Sequence, residues 1–170
     1  MYFLLNAAML DAGIACWDAK RHFDFVRPIT AIRYLYGEQM VDAWRGPNLG
    51  AGTILGGDWR PYQDARFVTP AFAEYVSGHS AFSFAAATSL RLFVGIDMFY
   101  DGMTTTVEDI DEDGSDDLLG QFVQQPGRSL FENVSNSPVT LQWSTLTEAA
   151  EQASLSRRWG GIHIQDGDLR

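Results

Sequence analysis

The amino-acid sequence predicts an all-α fold, a bundle of helices joined by long polar loops. Two apolar segments without proline favour helices, a capping-box pair opens another, and no alternation of apolar and polar residues extends beyond four positions. The chain has 170 residues, which is enough for one domain with a core and short for two. No internal repeat is visible, so residues 1–170 are expected to form a single domain.

The first predicted helical segment spans residues 2–26, as one helix or two abutting ones. Apolar residues lie on nearly all of its sides, a pattern typical of a buried helix. Pro28 disfavours the α conformation at Arg27 and suits the first turn of a second helix over residues 29–36. His22, in the first segment, is interpreted as structural.

The middle of the chain predicts a loop followed by a helix. Residues 46–70 are rich in Gly, Pro, Asp and Arg and show weak periodicity, which is typical of a loop. Residues 80–94 contain neither Gly nor Pro, and their Ala, Phe and Leu content predicts another buried helix that ends at Gly95.

The last predicted helix begins at the capping-box pair Thr145 and Glu148. Apolar residues follow at helical spacing, and the helix is expected to run to about Arg158 before Gly160 and Gly161 break it.

Residues 101–137 are predicted to form an acidic surface insertion. The chain has 22 Asp and Glu against 12 Lys and Arg, a net charge of −10, which argues against nucleic acid as a partner. Seven of the acids lie in the run at 108–117 within this insertion, so much of the net negative charge belongs to a loop. Asp109, Asp111 and Asp113 match the start of a calcium-binding loop, but Gly120 stands where the bidentate glutamate belongs. A surface calcium site and a solvated acidic loop both stay open.

Three short segments collect residues suited to an oxyanion. In the first, Lys20 and Arg27 are seven residues apart, about two turns at roughly 3.6 residues per turn, so both should leave one face of the same helix. An ammonium and a guanidinium placed this way can hold a tetrahedral anion from one side. Two solvated surface cations would show the same spacing. The apolar surroundings instead predict partly buried cations that need an anion.

The other two segments each contain a histidine. Ser77, Gly78 and His79 directly precede the helix over 80–94, where free backbone N–H groups favour an anion, although serine and glycine are also ordinary turn residues. Arg157 ends the last helix, and His163 follows the Gly-Gly break. A histidine between two isoleucines is typical of a core residue, but the break can turn it back toward Arg157.

In this order and at these spacings, the segments resemble the signature of the superfamily that contains the vanadium-dependent haloperoxidases and the type 2 phosphatidic acid phosphatases. The signature is Lys, six residues, Arg-Pro; then Ser-Gly-His; then Ser-Arg, five residues, His. The resemblance covers the chain from Trp17 to His163 and implies the helical bundle of that superfamily. The chain begins within an apolar stretch and ends without a closing signal, so a truncated domain is expected.

The resemblance implies a role for each matched residue. The oxygens of vanadate or phosphate would be bound by Lys20, Arg27, Ser77, the Gly78 amide and Arg157. His163 would coordinate vanadium in a haloperoxidase or attack phosphorus in a phosphatase, and His79 would be the acid or base. The family usually has an aspartate four residues after the last histidine. Gly167 stands there in this chain, between Asp166 and Asp168, which leaves the carboxylate partner of His163 open.

Trp17 and Phe72 resemble the aromatic halide-pocket residues of chloroperoxidase-type members, since an apolar wall keeps water from a halide. Core packing is the alternative role for both rings. The expected reaction is the vanadate-dependent oxidation of chloride or bromide by hydrogen peroxide, giving a hypohalous equivalent that halogenates a small organic substrate. The alternatives are an acid phosphatase with a phosphohistidine on His163, and an inactive or calcium-binding fragment.

The sequence also bears on location and assembly. The N-terminus lacks a signal-peptide pattern, while the family resemblance implies a periplasmic or secreted protein. The apolar run at 81–90 is too short for a membrane span. Cys16 is the only cysteine, which excludes an internal disulfide. An exposed apolar patch on the first helix would favour a homo-oligomer.

Overall fold

The computed structural model describes residues 1–99, 106–107, 117–129, 132 and 135–168. The helices of this part are α1 (Tyr2–Phe23), α2 (Pro28–Tyr36), α3 (Gly78–Val94), α4 (Leu146–Trp159) and the single turn α5 (Gln165–Asp168), with a 3₁₀ turn at Gly56–Asp58. The strands are β1 (Met40–Trp44), β2 (Ala51–Leu55), β3 (Thr106–Val107), β4 (Asp117–Leu118), β5 (Gln121–Gln124) and β6 (Val139–Gln142). The fold is therefore predominantly helical, as predicted, with short strands added.

Helix α3 is the centre of the bundle, because it packs against both α1 and α4. Gly13 allows α1 to approach closely, since a Cβ there would lie 3.1 Å from Cε1 of Phe82 on α3. One side of α1 stays exposed: Phe3 is 89% exposed and Leu10 is 65% exposed. The prediction of a buried first helix is therefore wrong for this chain, because α1 packs mainly along the single face that meets α3.

The first helical segment is broken earlier than predicted. Helix α1 ends at Phe23, and Asp24 adopts the left-handed conformation with φ 47° while its N–H bonds to the carbonyl of Lys20. Arg27 is the extended N-cap of α2, and Pro28 is its first residue, as the sequence indicated. Lys20 and Arg27 therefore do not share a helix face. They approach each other because the chain turns between the two helices.

The ends of the other two long helices follow the sequence signals. Ser77 caps α3, which ends at Gly95 in the left-handed conformation with φ 87°. Both bonds of the predicted capping box between Thr145 and Glu148 are present at the start of α4, and this helix ends just before Gly160. Helix α3 therefore begins at the Ser-Gly-His motif, and the Ser-Arg motif lies in the last turn of α4.

The strands form three two-stranded antiparallel sheets in the described part of the chain: β1 with β2, β3 with β4, and β5 with β6. Strand β2 lies inside residues 46–70, so the prediction of a loop is wrong there. Its sequence begins Ala-Gly-Thr and lacks the alternation of β-branched residues that identifies a strand. The strand forms because it pairs antiparallel with β1, from Met40 opposite Leu55 to Trp44 opposite Ala51. About half of the predicted insertion at 101–137 lies outside the described residues.

The most deeply buried side chains are mainly polar. The buried apolar group is Cys16, Ala87, Ala150 and Ile162, whereas the buried polar group is Lys20, Arg27, Glu74, Ser77, Ser80, Ser154, His163 and Asp168. Buried polar groups are costly unless they are hydrogen-bonded, so this interior is organised by polar contacts. None of the described helices is both long and apolar enough to cross a membrane.

Candidate anion-binding site

A cavity of about 260 Å³ lies where the three predicted segments meet. Seven of the predicted site residues line it: Trp17, Arg27, Phe72, Gly78, His79, Arg157 and His163. Phe82 of α3 and Phe67 of the preceding loop add further apolar surface. The two remaining residues, Lys20 and Ser77, are almost fully buried and do not line the cavity.

The two arginines bring buried donors to this cavity. Arg27 Nε donates to the carbonyl of Phe72 at 2.9 Å, and Nη1 donates to the carbonyl of Ile162 at 3.0 Å. Its Nη2 and the Nε of Arg157 are buried and have no hydrogen-bond partner among the described residues. Burial lowers the pKa of each guanidinium, and the charge of Asp168 opposes that effect at Arg157. Because an arginine stays charged in proteins, these two donors would be satisfied by an anion.

The ring of His163 is held from both sides. Nδ1 lies 2.7 Å from Oε1 of Glu74, and Nε2 lies 3.0 Å from Nη1 of Arg27. A guanidinium only donates hydrogen bonds, so Nε2 must accept one and cannot carry a proton. The proton of the neutral ring therefore resides on Nδ1 and is donated to Glu74. Burial lowers the pKa of His163, while the bond to Glu74 opposes that change.

Glu74 is the functional residue that the sequence did not reveal. Its side chain is fully buried, and Oε1 also accepts the backbone N–H of Ile164 at 3.1 Å. Asp168, one of the two carboxylates that flank Gly167, instead accepts the hydroxyl of Ser80 at 2.6 Å. The available signal was a single glutamate in the apolar stretch just before Ser77, Gly78 and His79. The sequence could not show which carboxylate reaches His163.

Lys20 lies beneath the cavity. Its Nζ donates to the carbonyls of Ala73 and Glu74 at 2.9 and 3.0 Å, and it stands 5.3 Å from the ring centre of Phe72. Burial lowers the pKa of this ammonium. The only lysine of the chain thus holds the backbone that carries Glu74 and adds positive charge from below.

The start of α3 forms another wall. Ser77 Oγ accepts the N–H of Ser80 at 3.3 Å, so this hydroxyl caps the helix. Gly78 lies against the indole of Trp17, where a Cβ would come within 3.3 Å of the ring. The first-turn amides of a helix have no acceptor within the helix, which gives this end a positive character. Loss of solvent around the ring lowers the pKa of His79, and the charges of Arg157 and His163 lower it further.

Aromatic rings close one side of the cavity. The centroids of Trp17 and Phe72 are 5.3 Å apart, and those of Trp17 and Phe82 are 6.1 Å apart. The sequence predicted that Trp17 and Phe72 lie together, and the structure places both at the cavity. They are 42% and 45% exposed, so they border an opening rather than fill a core.

Two further predictions concern residues away from this cavity. His22 packs edge-on against Phe23, at 4.8 Å between ring centres. The proposed calcium ligands Asp109, Asp111 and Asp113 lie outside the described residues. Among the residues that the structure does describe, no group of three or more His, Cys, Asp or Glu side chains is arranged to hold a metal ion.

Comparison with known proteins gives one family and several solved structures. The family model described as the VCPO second helical-bundle domain matches residues 1–170. A structure of an apo-type bacterial vanadium-dependent chloroperoxidase matches with a TM-score of 0.80 and 25% identity, over 98% of this chain and 32% of that one. The holo-type form matches with a TM-score of 0.75 and 26% identity, over 96% of this chain and 30% of that one.

A bacterial vanadium-dependent iodoperoxidase matches with a TM-score of 0.58 and 24% identity, over 98% of this chain and 28% of that one, a likeness of fold alone. The chain thus spans about a third of the length of the solved proteins it matches. No curated protein sequence matches it.

Proposed function

The chain belongs to the family of VCPO second helical-bundle domains, and from this premise we propose that it carries the vanadate site of a haloperoxidase. Such an enzyme uses hydrogen peroxide to oxidise chloride or bromide to a hypohalous equivalent, which halogenates a small organic substrate. The observation that carries the proposal is the meeting of two buried, unsatisfied guanidinium donors with Nε2 of His163 at one cavity.

The residues present fit a vanadate ion. Arg27 and Arg157 offer charged donors to its oxygens, and the Gly78 amide adds the positive end of α3. Nε2 of His163, which here accepts a hydrogen bond from Nη1 of Arg27, would give its lone pair to vanadium in place of that bond. Once bound, vanadate would supply the Lewis-acid centre that activates hydrogen peroxide toward halide. Lys20 and Ser77 would contribute from behind, as buried charge and as helix cap.

His79 is suited to move a proton. It lines the cavity, and its lowered pKa keeps the ring neutral at pH 7, so it can accept a proton from a peroxide that enters beside it. The protonated ring would then return that proton to a departing oxygen. Arg157 and His163, whose interactions lower this pKa, would favour the return.

The rings of Trp17, Phe72 and Phe82 would exclude water from the open side of the cavity. A halide loses little hydration energy in such a place compared with a more strongly hydrated anion, and it is held close to the bound oxidant. This aromatic wall is the feature that favours a haloperoxidase, which needs a place for halide, over a phosphatase.

An acid phosphatase is the second candidate, favoured by the unprotonated Nε2 of His163. The same donors would bind the oxygens of a phosphate ester, Nε2 would attack phosphorus, and His79 would protonate the leaving alcohol.

One paired assay separates the two candidates. The protein is incubated with vanadate, hydrogen peroxide and bromide or chloride, and halogenation of a cyclic dione is followed. Hydrolysis of a phosphate ester is measured in parallel without vanadate. We expect halogenation that depends on vanadate and negligible hydrolysis. Hydrolysis without halogenation would overturn the haloperoxidase proposal in favour of the phosphatase.

The histidines of the chain supply matched controls for this assay. His163→Ala removes the coordinating nitrogen and should abolish halogenation. His22→Ala removes an exposed histidine on α1 and should leave the rate unchanged. Equal rates in the two variants would show that His163 has no part in the reaction.

A further inference from the structure

We propose that Glu74 and Gly167 form a matched pair that positions His163, with the carboxylate fixing the ring and the glycine leaving the space that the carboxylate fills. The proposal rests on the proposed function, because it assigns a role to the ring that would bind vanadate. Glu74 precedes the Ser-Gly-His motif, and Gly167 lies four residues after His163, where the family usually has an aspartate.

The carboxylate of Glu74 is placed by two donors on the same oxygen. Oε1 lies 2.7 Å from Nδ1 of His163 and 3.1 Å from the backbone N–H of Ile164. The side chains of His163 and Glu74 are almost completely shielded from solvent, 4% and 0% exposed respectively. Because the two donors belong to neighbouring residues, they fix the distance and the angle between the carboxylate and the imidazole ring.

The backbone that carries Glu74 is also held. The N–H of Glu74 donates to the carbonyl of Phe25 at 2.8 Å, and Nζ of Lys20 donates to the carbonyls of residues 73 and 74. The loop just before α3 is therefore anchored at this residue to Lys20 of α1 and to Phe25 in the turn after α1. The backbone of Glu74 and its Oε1 are thus held by hydrogen bonds, while Oε2 is buried without a hydrogen-bond partner among the described residues.

Gly167 is required by space. A Cβ on this residue would lie 2.2 Å from Oε1, 2.4 Å from Oε2 and 2.6 Å from Cδ of Glu74. Its carbonyl accepts the N–H of Ser77 at 2.6 Å, which ties it to the start of α3. No alanine fits without displacing the carboxylate. A side chain at 167 would start in the volume that Glu74 now fills.

This geometry accounts for the glycine at residue 167, where the family that the sequence resembles usually has an aspartate. The carboxylate reaches the ring from the loop before α3 instead of from α5, so the chain needs a carboxylate from only one of the two positions. Glu74 accepts the proton of Nδ1, and Nη1 of Arg27 donates to Nε2, so both ring nitrogens are held and Nε2 stays unprotonated.

The test combines single variants with an exchange. Glu74→Ala removes the carboxylate, Gly167→Ala displaces it, and Glu74→Ala with Gly167→Asp supplies it from the other side. Glu74→Gln keeps an acceptor oxygen, which both Nδ1–H and the N–H of Ile164 require. Glu38→Ala, an exposed glutamate, is the control.

Two measurements are made on each variant after folding is checked by thermal unfolding. The first is the proton NMR signal of Nδ1–H in the protein without vanadate. The second is the dissociation constant for orthovanadate.

We expect a downfield, slowly exchanging Nδ1–H in the native chain and in Glu38→Ala. Glu74→Ala and Gly167→Ala should lose this signal and bind vanadate about 10- to 100-fold more weakly. The Gln variant should keep an Nδ1–H signal at a less downfield position, and the exchanged variant should recover both the signal and most of the affinity.

Unchanged signal and affinity in folded Glu74→Ala or Gly167→Ala would overturn the proposal. So would an exchanged variant that folds but recovers neither. If Glu74→Ala does not fold, loss of Nδ1–H in the Gln variant would overturn it as well. A native chain that shows the Nδ1–H signal but binds no vanadate would reject the proposed function and leave the pairing of Glu74 with His163 standing.

Discussion

At the scale of single residues, the charges of the site act on one another across short distances. Arg27 donates hydrogen bonds both to Nε2 of His163 and to the carbonyl of Phe72. Arg157 lies close enough to His79 to lower the pKa of that histidine. Burial is the main cause that lowers the pKa of both imidazoles, and the charge of Arg157 at His79 and of Arg27 at His163 lowers it further. The same two charges attract an anion.

The pKa of His79 is expected to depend on Arg157. Burial and then Arg157 lower its pKa below the ordinary value of 6.5, so the ring stays neutral until the pH falls below that value. Arg157→Gln removes the cation, and the pKa should rise toward its ordinary value. NMR titration of the ring protons measures it. Arg158→Gln, which changes the adjacent arginine that reaches Gln165, is the control and should leave the pKa unchanged. Equal pKa values in the two variants would contradict the interpretation.

Residues of the site differ in how far the sequence could predict them. The order and spacing of the three motifs predicted the site residues within them, among them Arg27, His79 and His163. Glu74 stands 89 positions from its partner, and nothing in the local pattern distinguishes it from Asp166 or Asp168 as the partner of His163. A contact of this kind is set by how the loop before α3 is folded back on α5, which only the tertiary structure shows.

At the scale of elements, local signals decided where helices begin and end. The capping box at Thr145, the proline that opens α2 and the glycine after α3 act within one turn, so the sequence shows them directly. The turn at Asp24 and the pair of strands β1 and β2 are also formed by contacts near in sequence, from the N–H of Asp24 to the carbonyl of Lys20 and between consecutive strands. They were not predicted because their sequences lack a strong local preference.

Helix α4 carries Arg157 and should lose stability without its cap. Thr145→Ala removes the hydroxyl that accepts the N–H of Glu148 at 3.0 Å and half of the capping box. We expect the free energy of unfolding to fall by about 1 kcal/mol. Chemical denaturation measures it, with Thr30→Ala on the exposed surface of α2 as the control. The same loss in both variants would show that the box contributes nothing specific.

At the scale of the whole molecule, the positive charges of the cavity contrast with the negative net charge of the chain. The chain carries a net charge of −10, yet the cavity is bordered by Arg27 and Arg157 with Lys20 beneath it. Buried polar residues outnumber buried apolar ones in the described part of the chain. The helices therefore pack around a charged centre in which Lys20 and Arg27 are buried together with the carboxylates of Glu74 and Asp168. An anion that binds the two arginines there would stabilise the fold as a whole.

The central claim is that His163 and the two arginines form a binding site for a vanadate-like anion. Calorimetric titration of the protein with orthovanadate, without peroxide or halide, tests it most directly. We predict saturable binding of one ion per chain, at least tenfold weaker in His163→Ala and unchanged in His22→Ala. Absence of saturable binding, or equal affinity in His163→Ala and the native chain, would contradict the claim.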